Sequence, residues 1–353
     1  MFEDLKVIDC STVLAGPSVG TFFAELGASV TKIENPAIPD VTRTWKLASE
    51  DKNTSVSAYF SSVNYHKHYL KLDFKNKTDL NQLVDLIKTA DIFLSNFKKG
   101  DAEKFGLTDS FLLSINSRLI IGKISGFGEE SDRVAYDLIL QAETGFMSMN
   151  GTSDSGPVKM PVALIDVLAA HQLKEGILTA LLKRTKTNQG SVVSVSLYAA
   201  AISSLANQAS NYLMEGYTPQ RIGSLHPNIA PYGEIFRTND GRLITFAIGS
   251  NKHFQILCDF LGLSKLTSDE RFSGNVERVK NRTELQEIIQ EIISRWNADD
   301  IMEFMHEHFV PAGLIRDLEE VFKNPESRKL IRTEPIENIQ TKRVSQIAFQ
   351  LKS

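Results

Sequence analysis

Within its first 34 residues the chain spells a strand, a helix and a second strand, and few folds accept that order. Residues 5–9 (Leu-Lys-Val-Ile-Asp) read as a short apolar strand. The loop Ser11-Thr-Val-Leu-Ala-Gly-Pro17 follows. Pro17 suits a first helical turn, where its missing N–H has no partner to lose, so a helix is expected to run to about Leu26 with Gly27 as its stop. Residues 29–34 (Ser-Val-Thr-Lys-Ile-Glu) read as a second strand. Strands joined through a helix lie parallel in one sheet, which places the chain in the α/β class.

The alternation continues. Strands are expected at 69–73, 91–95, 118–125 and 191–197, with helices at 78–90, 137–147 and 199–214. After about residue 216 a loop rich in Gly, Pro and Asn leads to a strand–turn–strand at 233–247, then to short amphipathic helices at 250–262, 282–296 and 298–308. This predicts a second, smaller α+β domain at about 224–320. No internal repeat or low-complexity tract interrupts the pattern.

The 353 residues allow a large core and about two domains. A net charge of −4 and a pI near 6.0 argue against nucleic acid or an anionic membrane as the main partner. Two isolated cysteines, Cys10 and Cys258, suggest neither a disulfide framework nor a zinc site, and fit a reducing, cytoplasmic compartment. The N-terminus lacks a signal-peptide pattern, and no apolar run approaches the ~18 residues of a membrane span. The seven histidines show no ligand spacing, so no metal is expected.

One carboxylate stands alone in an apolar stretch: Met160-Pro-Val-Ala-Leu-Ile-Asp166-Val-Leu-Ala-Ala-His171. Apolar residues recur with helical period after it, which puts Asp166 at or near a helix start. There it is either an N-cap or, kept ionised by unpaired N–H groups and the helix dipole, a nucleophile. Glu34 at the end of the second strand could bind a ribose, but the preceding loop offers only Gly16 instead of a glycine fingerprint, so a nicotinamide enzyme is disfavoured. Cations follow the strand ends: Arg43, Lys75, Lys98, Lys99 and Lys104. Each alone is an ordinary surface charge; together they could receive phosphates.

An ordered set of segments resembles the class III CoA transferases, a family that includes formyl-CoA and carnitine CoA-transferases and shares its fold with α-methylacyl-CoA racemase. The set includes Val7 to Pro17, Glu25 to Glu34, Asp40-Val-Thr-Arg43, Asn64-Tyr-His-Lys67, Ala90 to Phe97, Ser125-Gly-Phe-Gly128, Ala135-Tyr-Asp-Leu-Ile139 and the Asp166 stretch. In the second domain His226 to Tyr232, Asp269-Glu-Arg-Phe272, Asn281-Arg282 and Val310-Pro-Ala-Gly313 continue it.

The resemblance implies that Asp166 attacks an acyl-CoA thioester, giving a mixed anhydride and then an aspartyl-CoA thioester that an acceptor carboxylate resolves. It implies CoA as a substrate, with no permanently bound cofactor. It places the CoA site at Thr12, Val13, Leu14, Ala15, Leu72, Lys75, Asn96, Phe97 and Lys104, with Tyr136 beside the thioester. Lys104 stands where an arginine is usual and loses the bidentate fork. The racemase branch needs a histidine at Tyr136, since a phenol of ordinary pKa near 10 is a poor base for an α-proton. A racemase, or a CoA-binding relative without activity, is the alternative. The glycine-rich loop of formyl-CoA transferases is missing. The chain also ends at Ser353, short of the tail many members carry, so a different C-terminal closure is expected. The family further implies a Rossmann-like large domain at 1–215, a return of residues 321–353 to it, and an interlocked homodimer.

Overall fold

A computed structural model describes residues 1–352, and they form two compact units. The first comprises residues 1–149, 158–219 and 328–352; the second comprises 150–157 and 220–327.

The first unit is built on a six-stranded sheet of β1 (Lys6–Asp9), β2 (Ser29–Glu34), β3 (Lys67–Lys71), β4 (Ile92–Ser95), β5 (Ile120–Ser125) and β6 (Ser191–Ser196). All pairings are parallel, in the order β3-β2-β1-β4-β5-β6. Val7 at the centre pairs with Val30 on one side and Ile92 on the other. This is a Rossmann-like order. The chain leaves β1 first to one side and later to the other, so the loops after β1 and β4 part and open a crevice at the sheet's C-terminal edge.

The helices of this part of the chain are α1 (Ala15–Glu25), α2 (Ala58–Ser61), α3 (Lys77–Lys88), α4 (Asp101–Phe105), α5 (Asp109–Ile115), α6 (Asp137–Glu143), α7 (Phe146–Met149), α8 (Leu164–Thr187), α9 (Leu197–Ser203) and α10 (Ala206–Glu215). On one face Val19 and Phe23 of α1 and Ala169, Leu173 and Ile177 of α8 pack on Val7, Val30 and Leu94. On the other, Leu83 and Ile87 of α3 and Leu112 of α5 pack on Ile8, Phe93 and Ile121. The central strands β1, β4 and β5 are thus covered on both sides, as the apolar run Ile92-Phe93-Leu94 of β4 requires.

Helix α1 begins two residues before Pro17, and Gly16 in its first turn explains how it sits so close to the preceding loop. A Cβ at Gly16 would lie 2.3 Å from the Ser11 side chain. Two expected helices are broken. Residues 137–147 divide at Gly145, whose φ is +89°, and 199–214 divides at Ser204 and Leu205. There the Ser203 and Ser204 hydroxyls both donate to the Ala200 carbonyl, competing with the helix's own N–H groups. Strand β3 lies two residues earlier than expected, with Lys67 opposite Val30.

The second unit holds an antiparallel sheet of β7 (Tyr232–Arg237), β8 (Leu243–Ala247) and β9 (Ala312–Leu314). Helices α11 (Asn251–Phe260), α12 (Asn275–Lys280), α13 (Arg282–Ile293), α14 (Ala298–Glu307) and α15 (Leu318–Lys323) follow, then α16 (Pro325–Lys329) at the boundary. Phe236, Phe246, Phe254, Ile289 and Ile301 form its core.

The chain then rejoins the first unit with a hairpin of β10 (Ile331–Ile336) and β11 (Ile339–Val344). The following tail is anchored on Glu25 at the end of α1. Its buried carboxylate accepts from Arg343 Nη2, Ser345 Oγ and the backbone N–H groups of Gln346 (3.1 Å) and Ile347 (3.3 Å). Among the described residues no helix is long and apolar enough to cross a membrane.

Candidate active site

Asp166 is the third residue of α8, and it does not cap that helix. The N-cap position is Ala163, which offers no side-chain acceptor. Asp137 supplies one from the start of α6: its Oδ1 accepts the Ile165 N–H at 2.8 Å, while its Oδ2 accepts from Gln141 Nε2 at 2.7 Å. Gln141 Oε1 in turn accepts the Met160 N–H at 2.8 Å. Two side chains of α6 therefore hold the segment leading into α8.

The Asp166 carboxylate is left with no hydrogen-bond donor among the described residues, and the residue is only 8% exposed. Burial, then the neighbouring Asp137 charge, pushes its pKa up to about 7. The expectation that the helix start keeps this group ionised is therefore corrected. Desolvation and the Asp137 charge win, with no hydrogen-bond donor among the described residues to offset them.

Asp166 borders a cavity of about 420 Å³, large enough for the acyl end of a thioester but not for a whole CoA. Val13 and Leu14 line it from the loop after β1, and Trp45 and Tyr59 from the segment between β2 and β3. Tyr136, Asp137, Leu138, Lys159, Pro161, Val162 and Ala163 complete it. Trp45 and Tyr59 meet edge to face with centroids 5.0 Å apart. Burial and the charges of Asp166 and Asp137 push the Tyr59 phenol up to about 12, so it remains a neutral hydrogen-bonding group. Among the described residues, Lys159 is the one cation in the lining.

The residues assigned to CoA by resemblance fall into two groups. Val13, Leu14 and Tyr136 share the cavity with Asp166. Thr12 sits beside them, its N–H donating to Asn96 Oδ1 and its carbonyl accepting from Asn96 Nδ2, both at 3.0 Å. Asn96 thus ties the loops after β1 and β4 across the crevice. Ala15 is buried in the first turn of α1.

The others do not line the cavity: Leu72 and Lys75 follow β3, Phe97 follows β4, and Lys104 is in α4. Leu72 is buried and packs in the core with Ile33 and Phe93. Phe97, Phe74 and Phe105 form an aromatic cluster with centroids 5.4–6.3 Å apart. Lys75 and Lys104, each next in sequence to a ring of that cluster, are exposed at its margin.

Arg43 does not join these cations. It is buried, its Nε and Nη2 donate to the two oxygens of Glu34 at 2.9 and 2.6 Å, and its guanidinium lies over the Phe60 ring at 3.8 Å. That pairing removes Arg43 from phosphate binding and Glu34 from ribose binding. Sequence reasoning missed Trp45, Tyr59, Asp137 and Lys159. Only Asp137 left a trace, inside the Ala135–Ile139 segment beside Tyr136.

The model for CoA-transferase family III matches residues 2–353. The chain belongs to this family. It is a CoA-transferase, and its reaction moves CoA between an acyl-CoA and a carboxylic acid. The chain is 36% identical to the succinate–glutarate CoA-transferase of Agrobacterium fabrum, over 91% of this chain and 82% of that one. It is 32% identical to the acetyl-CoA:oxalate CoA-transferase of Acetobacter aceti, over 92% and 83%. A crystal structure of a CAIB/BAIF family protein from Brucella suis superposes with a TM-score of 0.86 at 34% identity, covering 99% of this chain and 92% of that one.

Proposed function

We propose that Asp166 is the nucleophile of this CoA-transferase and that its acceptor is a dicarboxylic acid. The observation that carries the first part is a carboxylate with no hydrogen-bond donor, buried at the edge of a cavity of acyl size. A desolvated carboxylate of pKa near 7 is more nucleophilic than a hydrated one and is largely ionised at slightly alkaline pH.

Asp166 attacks the donor thioester carbonyl, forming the C–O bond of a mixed anhydride as the C–S bond breaks and CoA leaves as thiolate. The thiolate attacks the aspartyl carbonyl, releasing the donor acid and leaving an aspartyl-CoA thioester. The acceptor carboxylate displaces the thiolate to give a second anhydride, whose acceptor carbonyl the thiolate attacks. Acceptor-CoA departs and the Asp166 carboxylate is regenerated. Both anhydrides hydrolyse in water, so transfer requires that water be kept from Asp166 while they exist. Tyr136 serves as a hydrogen-bonding group beside the thioester. A phenol there, instead of a histidine, speaks against α-proton exchange.

The acceptor class is supported by the names of the relatives, which act on succinate, glutarate and oxalate. Lys159 adds to this. A dicarboxylate brings negative charge to a cavity already lined by Asp137 and Asp166, and Lys159 is the cation there that can offset it.

CoA itself extends from this cavity over Thr12 and Asn96 to the aromatic cluster, where Lys75 and Lys104 meet its phosphates. A homodimer is supported by exposed Leu213 and Met214 on α10 and Leu182 on α8, and its mass is measured by light scattering. A cytoplasmic location is supported by the two free thiols, Cys10 and Cys258.

The test is hydroxylamine trapping with succinyl-CoA, read by mass spectrometry. Modification is expected at Asp166 and absent from Asp166→Ala, which loses transfer at least a thousandfold. Retained turnover in that variant sinks the nucleophile. Lys159→Met is expected to raise KM for succinate or glutarate about tenfold and to leave KM for a monocarboxylic acceptor unchanged.

A further inference from the structure

We propose that Asp40 is a positioning residue for the reaction, its buried carboxylate fastening together two walls of the Asp166 cavity. Asp40 does not line the cavity, and its residue is only 1% exposed. The inference rests on that cavity being the acyl-CoA chamber.

The first wall is the loop after β1. Val13 lines the cavity with φ +72°, a left-handed conformation that a β-branched side chain disfavours. Something must hold it, and its N–H donates to both Asp40 oxygens, at 3.1 and 3.3 Å. Lys32, also fully buried, steadies the same loop. Its Nζ donates to the Ser11 carbonyl and to Asp40 Oδ2, the latter at 3.3 Å.

The second wall carries Trp45 and Tyr59. Asp40 Oδ1 accepts from the Thr42 N–H at 3.1 Å and from Thr42 Oγ1 at 2.7 Å, fixing a single 3₁₀ turn at Val41–Thr44. The Thr42 carbonyl then accepts from the Trp45 N–H at 3.1 Å and from Ser57 Oγ at 2.5 Å. Ser57 caps α2, the helix that contains Tyr59. One carboxylate therefore sets a strained loop on one side of the nucleophile and an aromatic pair on the other. Catalysis needs the thioester carbonyl held in line with Asp166, and small displacements of these walls cost rate without touching the reacting groups.

Removing Asp40 alone would leave Lys32 buried and unpaired, so the decisive variant removes both charges, Lys32→Met with Asp40→Leu. Thermal unfolding and succinyl-CoA:glutarate transfer are measured on the full chain, with Asp166→Ala alongside. The pair variant is expected to unfold within a few degrees of the parent yet to lose at least tenfold in kcat/KM for succinyl-CoA. Adding Val13→Gly should recover at least twofold, because glycine takes the left-handed conformation without a tether.

A folded pair variant that loses less than tenfold, or a loss that Val13→Gly leaves unchanged, overturns the proposal. Should the pair not fold, the same two thresholds apply to Asp40→Asn, which keeps the side chain's volume and its acceptor for Thr42. Turnover retained by Asp166→Ala refutes the nucleophile instead, so the two failures are told apart.

Discussion

Asp166 shows how one residue's environment sets both its reactivity and its cost. Its pKa near 7, against an ordinary 3.8, comes from burial first and the Asp137 charge second. The pH dependence of kcat/KM for acyl-CoA should therefore rise through about pH 7, and a flat profile from pH 5 to 8 would refute the assignment. Asp137→Asn removes the neighbouring charge while keeping an oxygen for the Ile165 N–H, and is expected to move the midpoint to lower pH. Stability must show the reverse side of the same shift. Between pH 4 and 7 the unfolded chain has released this proton and the folded chain has kept it, so the residue's contribution to stability falls as pH rises. Asp166→Asn is neutral at every pH. Its stability gain over the parent should be near zero at pH 4 and reach at most about 4 kcal/mol at pH 8, read from denaturant unfolding at each pH. At this scale the sequence was half legible. The lone carboxylate in an apolar stretch was visible, but its charge state depended on Asp137, whose proximity only the fold creates.

At the scale of elements, legibility followed the physics of each segment. Strand β4 was readable because sheet burial on both faces demands a continuous apolar run, helices α1, α3 and α8 because helices repeat at 3.6 residues, and β1 and β2 from their place on either side of α1. The hairpin of β10 and β11 was not. Pro335 sits within its first strand, and its turn places Glu337 and Asn338 at φ +48° and +67° without the Asn-Gly pair that normally marks such turns. What holds the tail after this hairpin is one buried anchor, Glu25. Burial alone would raise its carboxyl, but hydrogen bonds from Ser345, the Gln346 N–H and Arg343 outweigh that and hold it below the ordinary range. A carboxylate lowered in this way contributes stability at neutral pH that is lost as pH falls below about 4.5. Hydrogen exchange of residues 345–352 should accordingly accelerate at pH 3.5 while the β1–β5 core stays protected. Glu25→Ala leaves Arg343 buried without its partner, and should release the tail already at pH 7 and cost about 3–5 kcal/mol. Unchanged protection of the tail in that variant would show that the anchor lies elsewhere.

Across the whole molecule, the strand order decides where a ligand longer than the cavity can lie. The strand order reverses between β1 and β4, and Asn96 closes the gap between their loops by holding both backbone groups of Thr12. From there the C-terminal edge leads on one side to Asp166 and on the other to the Phe74, Phe97 and Phe105 cluster with Lys75 and Lys104 at its margin. The strand-end lysines could be read from the sequence as one edge only because the alternation of strands and helices was read first. Arg43 was misread as part of that edge because nothing local announces a buried partner such as Glu34. If this edge receives the phosphates of CoA, the lysines act on binding and not on chemistry. Each is exposed, so each contributes modestly and is screened by salt. Lys75→Ala with Lys104→Ala should raise KM for succinyl-CoA about five- to tenfold, with kcat within twofold of the parent. The same variant should be indistinguishable from the parent with succinyl-pantetheine, which keeps the thioester but has no phosphates. The difference for succinyl-CoA should shrink in 0.5 M salt as the Debye length falls to a few ångströms. An equal loss with both substrates would move the phosphate site off this edge and leave Lys75 and Lys104 as surface charges. A loss confined to the phosphorylated substrate ties the crevice, the aromatic cluster and the Asp166 cavity into one continuous path along the first unit.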